Sequence, residues 1–202
     1  MICSLAYVWF AMSLPRVSIS QHELPTRPAV AISRAQTGEV GRRPTRGDAA
    51  RRAEDASCRK FVAGFYVWYV ARGKHGDPLR VALRRKRANF SSQVIRRLHD
   101  DARAAARSPG EIVGLDFDPV LNSQDFAERY VPGSVRRRGG RFFVDVYAVE
   151  AGKQSKRATV VPELRRQNGR WVFTNFHYNA DGKPDDLLSL LRQLRAGRKQ
   201  SK

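Results

Sequence analysis

Residues 57–196 predict a single α+β domain, helices first and antiparallel strands after, and three observations carry that expectation. Cys58, Phe61, Val62, Phe65, Tyr66, Trp68 and Tyr69 recur at three- and four-residue steps, the spacing of one helical face. From Phe142 the period becomes two, with Phe142, Val144, Val146 and Ala148 alternating against Phe143, Asp145, Tyr147 and Val149. Asn168-Gly169 then separates two alternating runs, and both residues tolerate the positive φ that a tight hairpin turn needs. Helices that precede the strands, rather than alternating with them, point to helices packed on an antiparallel sheet.

The remaining elements follow in order. Gly73 ends the aromatic helix. Asp77-Pro78 starts a second, with Asp at the cap and Pro at the first position, and Arg84 to Arg87 form its charged end. Ser91 or Ser92 caps a third helix, with Val94, Ile95, Leu98, Ala102 and Ala105 on one face and Ser108-Pro109-Gly110 as its stop. Residues 114–125 are irregular and acidic. Residues 127–135 suggest an additional edge strand. A strand over 158–165 and a return strand over 170–178 flank the Asn-Gly turn, the latter with Trp171, Phe173, Asn175 and His177 on one face. Leu187, Leu188, Leu190, Leu191 and Leu194 make a closing helix that ends before Gly197, and residues 197–202 form a basic tail.

The ends and the charge bound the function. The chain has 202 residues and a formal net charge of +19. A field of that sign attracts nucleic acid, anionic lipid and acidic proteins alike. The apolar run Ile2 to Leu14 is too short to cross a bilayer and fits a signal segment over residues 1–20, with Ser18-Ile19-Ser20 as a cleavage site, although no Lys or Arg precedes it. It implies a periplasmic or secreted protein, with the cytoplasm as the alternative. Residues 21–56 read as a disordered basic linker, because Val30 and Ile32 are their only closely spaced large aliphatics. A chain beginning at Ser57 is therefore expected to be as stable as the whole. Cys3 and Cys58 form no CxxC and no Cys/His cluster, which speaks against zinc. No cofactor motif is visible, and Cys58 reads as a small apolar residue of the core.

Three places could hold chemistry. Asp116, Asp118, Asn122 and Asp125 could offer oxygens to a hard cation, but their spacing departs from the EF-hand loop, and capping and turn formation explain them better. His177 could form a general acid–base pair with Asp145 on a neighbouring strand, with Asn175 beside it, if the register brings them within about 3 Å. Trp68 and Tyr69 on the aromatic helix read as core, with polar ends able to line a pocket.

Phe65, Tyr66, Trp68 and Tyr69, then Phe90-Ser91-Ser92, then Asp116-Phe117-Asp118-Pro119-Val120-Leu121-Asn122-Ser123-Gln124-Asp125, then Trp171 through Tyr178, resemble in that order a bacterial domain-of-unknown-function family of small exported proteins and lipoproteins. The resemblance implies a cone-shaped, cystatin-like or nuclear-transport-factor-two-like fold and carries over no functional residues. Lipid anchoring is not supported, because neither Cys3 nor Cys58 follows an apolar run. The functional expectation is an exported, non-enzymatic domain that binds a protein or small ligand in the cell envelope, in one version an immunity protein against a delivered toxin. The alternatives are a basic binder of nucleic acid or anionic surfaces, resting on Arg84–Arg87, Arg136–Arg138 and Arg165-Arg166, and an enzyme using His177 and Asp145.

Overall fold

The structure, a computed structural model, describes residues 45–73, 76–108, 113–178 and 185–200. The expectations for residues 1–20 and 21–44 lie outside these, as do those for residues 201–202 of the tail.

Helix α1 (Arg46–Gly73) opens the domain. Thr45 and Asp48 cap it reciprocally: the Asp48 N–H donates to Thr45 Oγ1 at 3.2 Å, and the Thr45 N–H donates to the Asp48 carboxylate at 3.1 Å. Two amides that a helix start leaves orphaned are thereby satisfied. Residues 46–56, expected as disordered linker, are instead the first turns of this helix. They are rich in Ala and Arg, which lose little rotamer freedom in a helix. The buried stripe Cys58, Val62, Phe65, Tyr66, Tyr69 and Val70 is the face the spacing predicts. Helix α2 (Pro78–Arg85) starts as expected, with the Asp77 carboxylate accepting from the Arg80 N–H at 2.9 Å. Ser91 caps α3 (Ser92–Ala105), its hydroxyl accepting from the Val94 N–H.

Six strands follow: β1 (Arg129–Arg138), β2 (Arg141–Glu150), β3 (Lys153–Gln154), β4 (Val161–Gln167), β5 (Arg170–Tyr178) and β6 (Asp185–Asp186). They form one antiparallel sheet in the order β1-β2-β4-β5-β6, with β3 paired to β2. Gly139-Gly140, Ala151-Gly152 and Asn168-Gly169 make the tight turns, each a pair of residues at positive φ. Such turns match the twist of the strands they join.

One sheet face packs on α1 and carries Phe142, Val144, Val146, Leu164, Trp171 and Phe173. Phe173, fully buried, contacts the rings of Phe61, Phe65, Phe90 and Phe176. A bulge corrects the expectation that Trp171, Phe173, Asn175 and His177 share a face. Glu163 pairs with Asn175 while Leu164 pairs with Phe173, so Thr174 is an extra residue on β5. Alternation restarts behind it. Phe176 and Tyr178 point to the core, and Asn175 and His177 lie on the other side.

Helix α4 (Leu187–Gln200) closes the domain with Leu187 and Leu191 in the core. It runs through Gly197, where the sequence predicts its end. Arg198, expected in a basic tail, pairs with the buried Asp101 of α3 at 2.7 Å and also donates to the Val113 carbonyl. Among the described residues no helix is long and apolar enough to cross a membrane.

Candidate functional site

The sheet face away from α1 holds a cleft of about 670 Å³, lined by residues that include Arg136, Arg138, Arg141, Phe143, Glu163, Arg165, His177 and Asp185. Strand alternation places these residues. Arg136 and Arg138 lie one step either side of Arg137, whose guanidinium instead turns to α1 and the core-side ring of Phe142. Register does the rest. Arg136 faces Phe143 and Phe143 faces Glu163; Arg138 faces Arg141. Arg165 lies one step beyond the Phe142–Leu164 pair, so Arg138, Arg141 and Arg165 form a row across three adjacent strands.

Neighbouring strands are about 4.8 Å apart. Like charges directly opposite on them repel and destabilise the sheet. Arg141 reaches a carboxylate only at 3.5 Å, that of Glu163. Arg138 and Arg165 make no ion pair among the described residues. Arg136 is more settled, with its guanidinium 2.7 Å from Asp145.

Glu163 sits in the floor, 4% exposed. The Thr174 hydroxyl donates to its Oε1 at 2.8 Å, and His177 Nε2 lies 3.1 Å from its Oε2. Burial works to raise the Glu163 pKa, but the bonds from His177 and Thr174 and the Arg141 charge outweigh it and hold the carboxyl below its usual range. An ionised carboxylate only accepts, so His177 Nε2 carries the proton in this bond. The His177 ring leans on Phe143, centroids 5.4 Å apart. No Ser, Thr or Cys is among the described residues that line the cleft.

No protein family, curated protein or solved structure matches the chain. The site therefore stands on its own geometry, and that geometry revises the residues singled out in the sequence. Of the nine candidates, only His177 lines the cleft. Its carboxylate partner is Glu163, not Asp145. Asp145 is engaged by Arg136 and by the Ser134 hydroxyl, and the bulge at Thr174 sets His177 beside Glu163 on β4. Asn175 is buried and structural: its amide donates to Asp186 at 2.8 Å and its oxygen accepts from the Leu188 N–H, which together with Asp186 closes the start of α4.

Asp118 belongs to the core. It accepts from the Tyr69 hydroxyl at 2.7 Å and from the backbone N–H groups of Val120 and Leu121. Burial raises its pKa, and these bonds only partly offset that. Tyr66 and Tyr178 donate to the carbonyls of Val120 and Pro119, so three tyrosine hydroxyls fasten this acidic loop to the domain. The Asn122 side chain donates to the Thr159 carbonyl. Asp116 and Asp125 are exposed, and each uses its backbone carbonyl to accept from a neighbouring side chain, Gln124 and Ser123 respectively. These four residues do not converge: among the described residues no three His, Cys, Asp or Glu are grouped to hold a metal ion. Trp68 is half-buried with Arg72 and Lys86 against its ring.

The sequence analysis missed Glu163 and Arg141 as site residues. Glu163 in an otherwise apolar strand start, Val160-Val161-Pro162-Glu163-Leu164, is the signal that was available: an acid in such a run demands a partner.

Proposed function

We propose that the protein is a non-enzymatic binding module that takes an anionic ligand, bearing phosphate or carboxylate groups, on the open face of its sheet. The observation that supports this reading is the row Arg138, Arg141 and Arg165. Three cations side by side cost stability, and a bound anion is what offsets the cost. Guanidinium groups also match phosphate and carboxylate oxygens in pairs, which makes them suited to such ligands. In this reading the His177–Glu163 pair serves to shape the floor.

The test separates a site from a general field. Inorganic tripolyphosphate is titrated calorimetrically into the full chain, into the Arg138→Gln/Arg165→Gln variant, and into Arg84→Gln/Arg85→Gln, which removes the same charge from the exposed end of α2. The reading expects the cleft variant to lose at least tenfold in affinity and the α2 variant to lose little. Equal losses in the two variants would mean that the +19 charge acts as a whole, and the site would be abandoned.

We place the protein in the bacterial cell envelope, on the support of the apolar run Ile2 to Leu14. Intact Met1 on cytosolic protein, read by mass spectrometry, would remove that compartment. The cystatin-like cone is likewise proposed, with helices-before-sheet order as its support.

A further inference from the structure

We infer that the ligand of this cleft is single-stranded nucleic acid, with one base lying against Phe143 and His177 and the flanking phosphates on Arg138, Arg141 and Arg165. The inference rests on the anion-binding reading above and narrows its ligand. Four observations carry it.

An anion alone has no use for the ring of Phe143, which stands half-buried in the middle of the cleft with the His177 ring 5.4 Å away. Single-stranded nucleic acid is the polyanion that carries an aromatic face beside every charge, and stacking on such side chains is how sequence-tolerant binders hold it. The floor points the same way. Glu163 is ionised and buried there, so phosphate is repelled from the floor and confined to the arginine rim. A neutral base is not.

The volume, about 670 Å³, falls in the range of small-ligand sites and has room for a nucleotide. Finally, the positive surface continues past the cleft. The β1–β2 and β4–β5 hairpins lie at one end of the sheet, because β2 begins where antiparallel β4 ends. That end adds Arg170, which alternates with the core-facing Trp171 and so stands on the cleft side of the sheet. A track longer than one nucleotide fits a strand better than a mononucleotide. Duplex is disfavoured, since paired and stacked bases present no free face to Phe143.

The test uses the full chain and fluorescence anisotropy at low salt. The probes are a labelled oligothymidylate of about 12 nucleotides, the same length of duplex, and a labelled oligoglutamate peptide. The inference expects the single strand to bind at least tenfold tighter than the duplex and the peptide. It expects the logarithm of its affinity to fall against the logarithm of salt with a slope of about −2 to −3, from three or four phosphate contacts at ~0.7 each. Phe143→Leu, which keeps an apolar side chain but removes the ring, should lose about tenfold for the single strand, and Phe143→Tyr should restore it.

Peptide binding that depends on Arg138 and Arg165 and ignores Phe143→Leu overturns this inference and leaves the anion-binding reading in place. Tripolyphosphate and oligothymidylate binding that both ignore Arg138→Gln/Arg165→Gln overturns the two together.

Discussion

Arg137 and Arg138 are sequence neighbours with opposite uses, and they stand for the two faces of the sheet. Arg137 lies against the ring of Phe142, pairs with Glu54 at 2.8 Å and Asp55 at 2.7 Å, and donates to the Arg51 carbonyl. Its charge is consumed in fastening the first turns of α1 to β1. Arg138, one residue on, faces the cleft beside Arg141 and has no ion pair among the described residues. A strand sends successive side chains to opposite faces, so composition alone says nothing about which arginine is structural. Register does. The closed face packs on α1, and among the described residues no buried side-chain polar atom lacks a hydrogen-bond partner, whereas the open face leaves charge uncompensated.

That contrast can be broken at either face. The largest effect is expected in the closed face: Phe173→Ala removes a ring that four others contact and should cost about 3–5 kcal/mol, visible as a fall in melting temperature of many degrees. A smaller cost is expected from removing the start of α1. A chain beginning at Ser57 strips Arg137 of both carboxylates, and we expect a loss of about 1–2 kcal/mol by denaturant titration. The sequence-based expectation was no loss, so equal stability would return residues 46–56 to the status of a linker.

The pH dependence sharpens the comparison between two buried acids. Glu163, on the open face, has a folded pKa below its unfolded value. The stability it contributes is complete above about pH 4.3 and is lost as pH falls through the folded value. Asp118, within the core, has a raised pKa, so its contribution runs the other way and is lost as pH rises through that value. Glu163→Gln should flatten the acid limb of a stability profile, and Asp118→Asn should steepen it. Parallel shifts in the two variants would mean that the two sites are not electrostatically distinct.

The smallest effect belongs to the open face. Arg165→Gln or Arg138→Gln should change stability by within about 0.5 kcal/mol, with a gain as the expected sign, because a like-charge neighbour is removed. A loss of several kcal/mol would show that these arginines hold the fold and are not poised for a ligand.

The elements were legible in the sequence where the signal is local. The aromatic stripe of α1, the Asp77-Pro78 start of α2 and the Asn168-Gly169 turn are each decided by residues within a few positions of one another. The site was not legible, because it depends on register between strands that are distant in the chain. Counting alternation along β5 puts His177 with Trp171, but the single extra residue at Thr174 turns it to the face that carries Glu163, and β4 stands between β5 and the strand of Asp145. The start of α1 was overlooked for a different reason. Low hydrophobicity points to disorder, but Thr45-x-x-Asp48 followed by Ala and Arg is a capped helix start whose docking comes from charge rather than apolar area.

Cys58 gives the closed face a clock. Its thiol is wholly buried beneath α1, and burial pushes its pKa up to about 12. Only the thiolate attacks an alkylating reagent, so Cys58 is silent while α1 stays docked and reacts when the helix lifts away. Alkylation at neutral pH, followed on the peptide that contains Cys58, therefore counts openings of the domain directly. The rate should follow global unfolding in the whole protein, and should rise in the chain beginning at Ser57, in which the cysteine lies one residue from a free end.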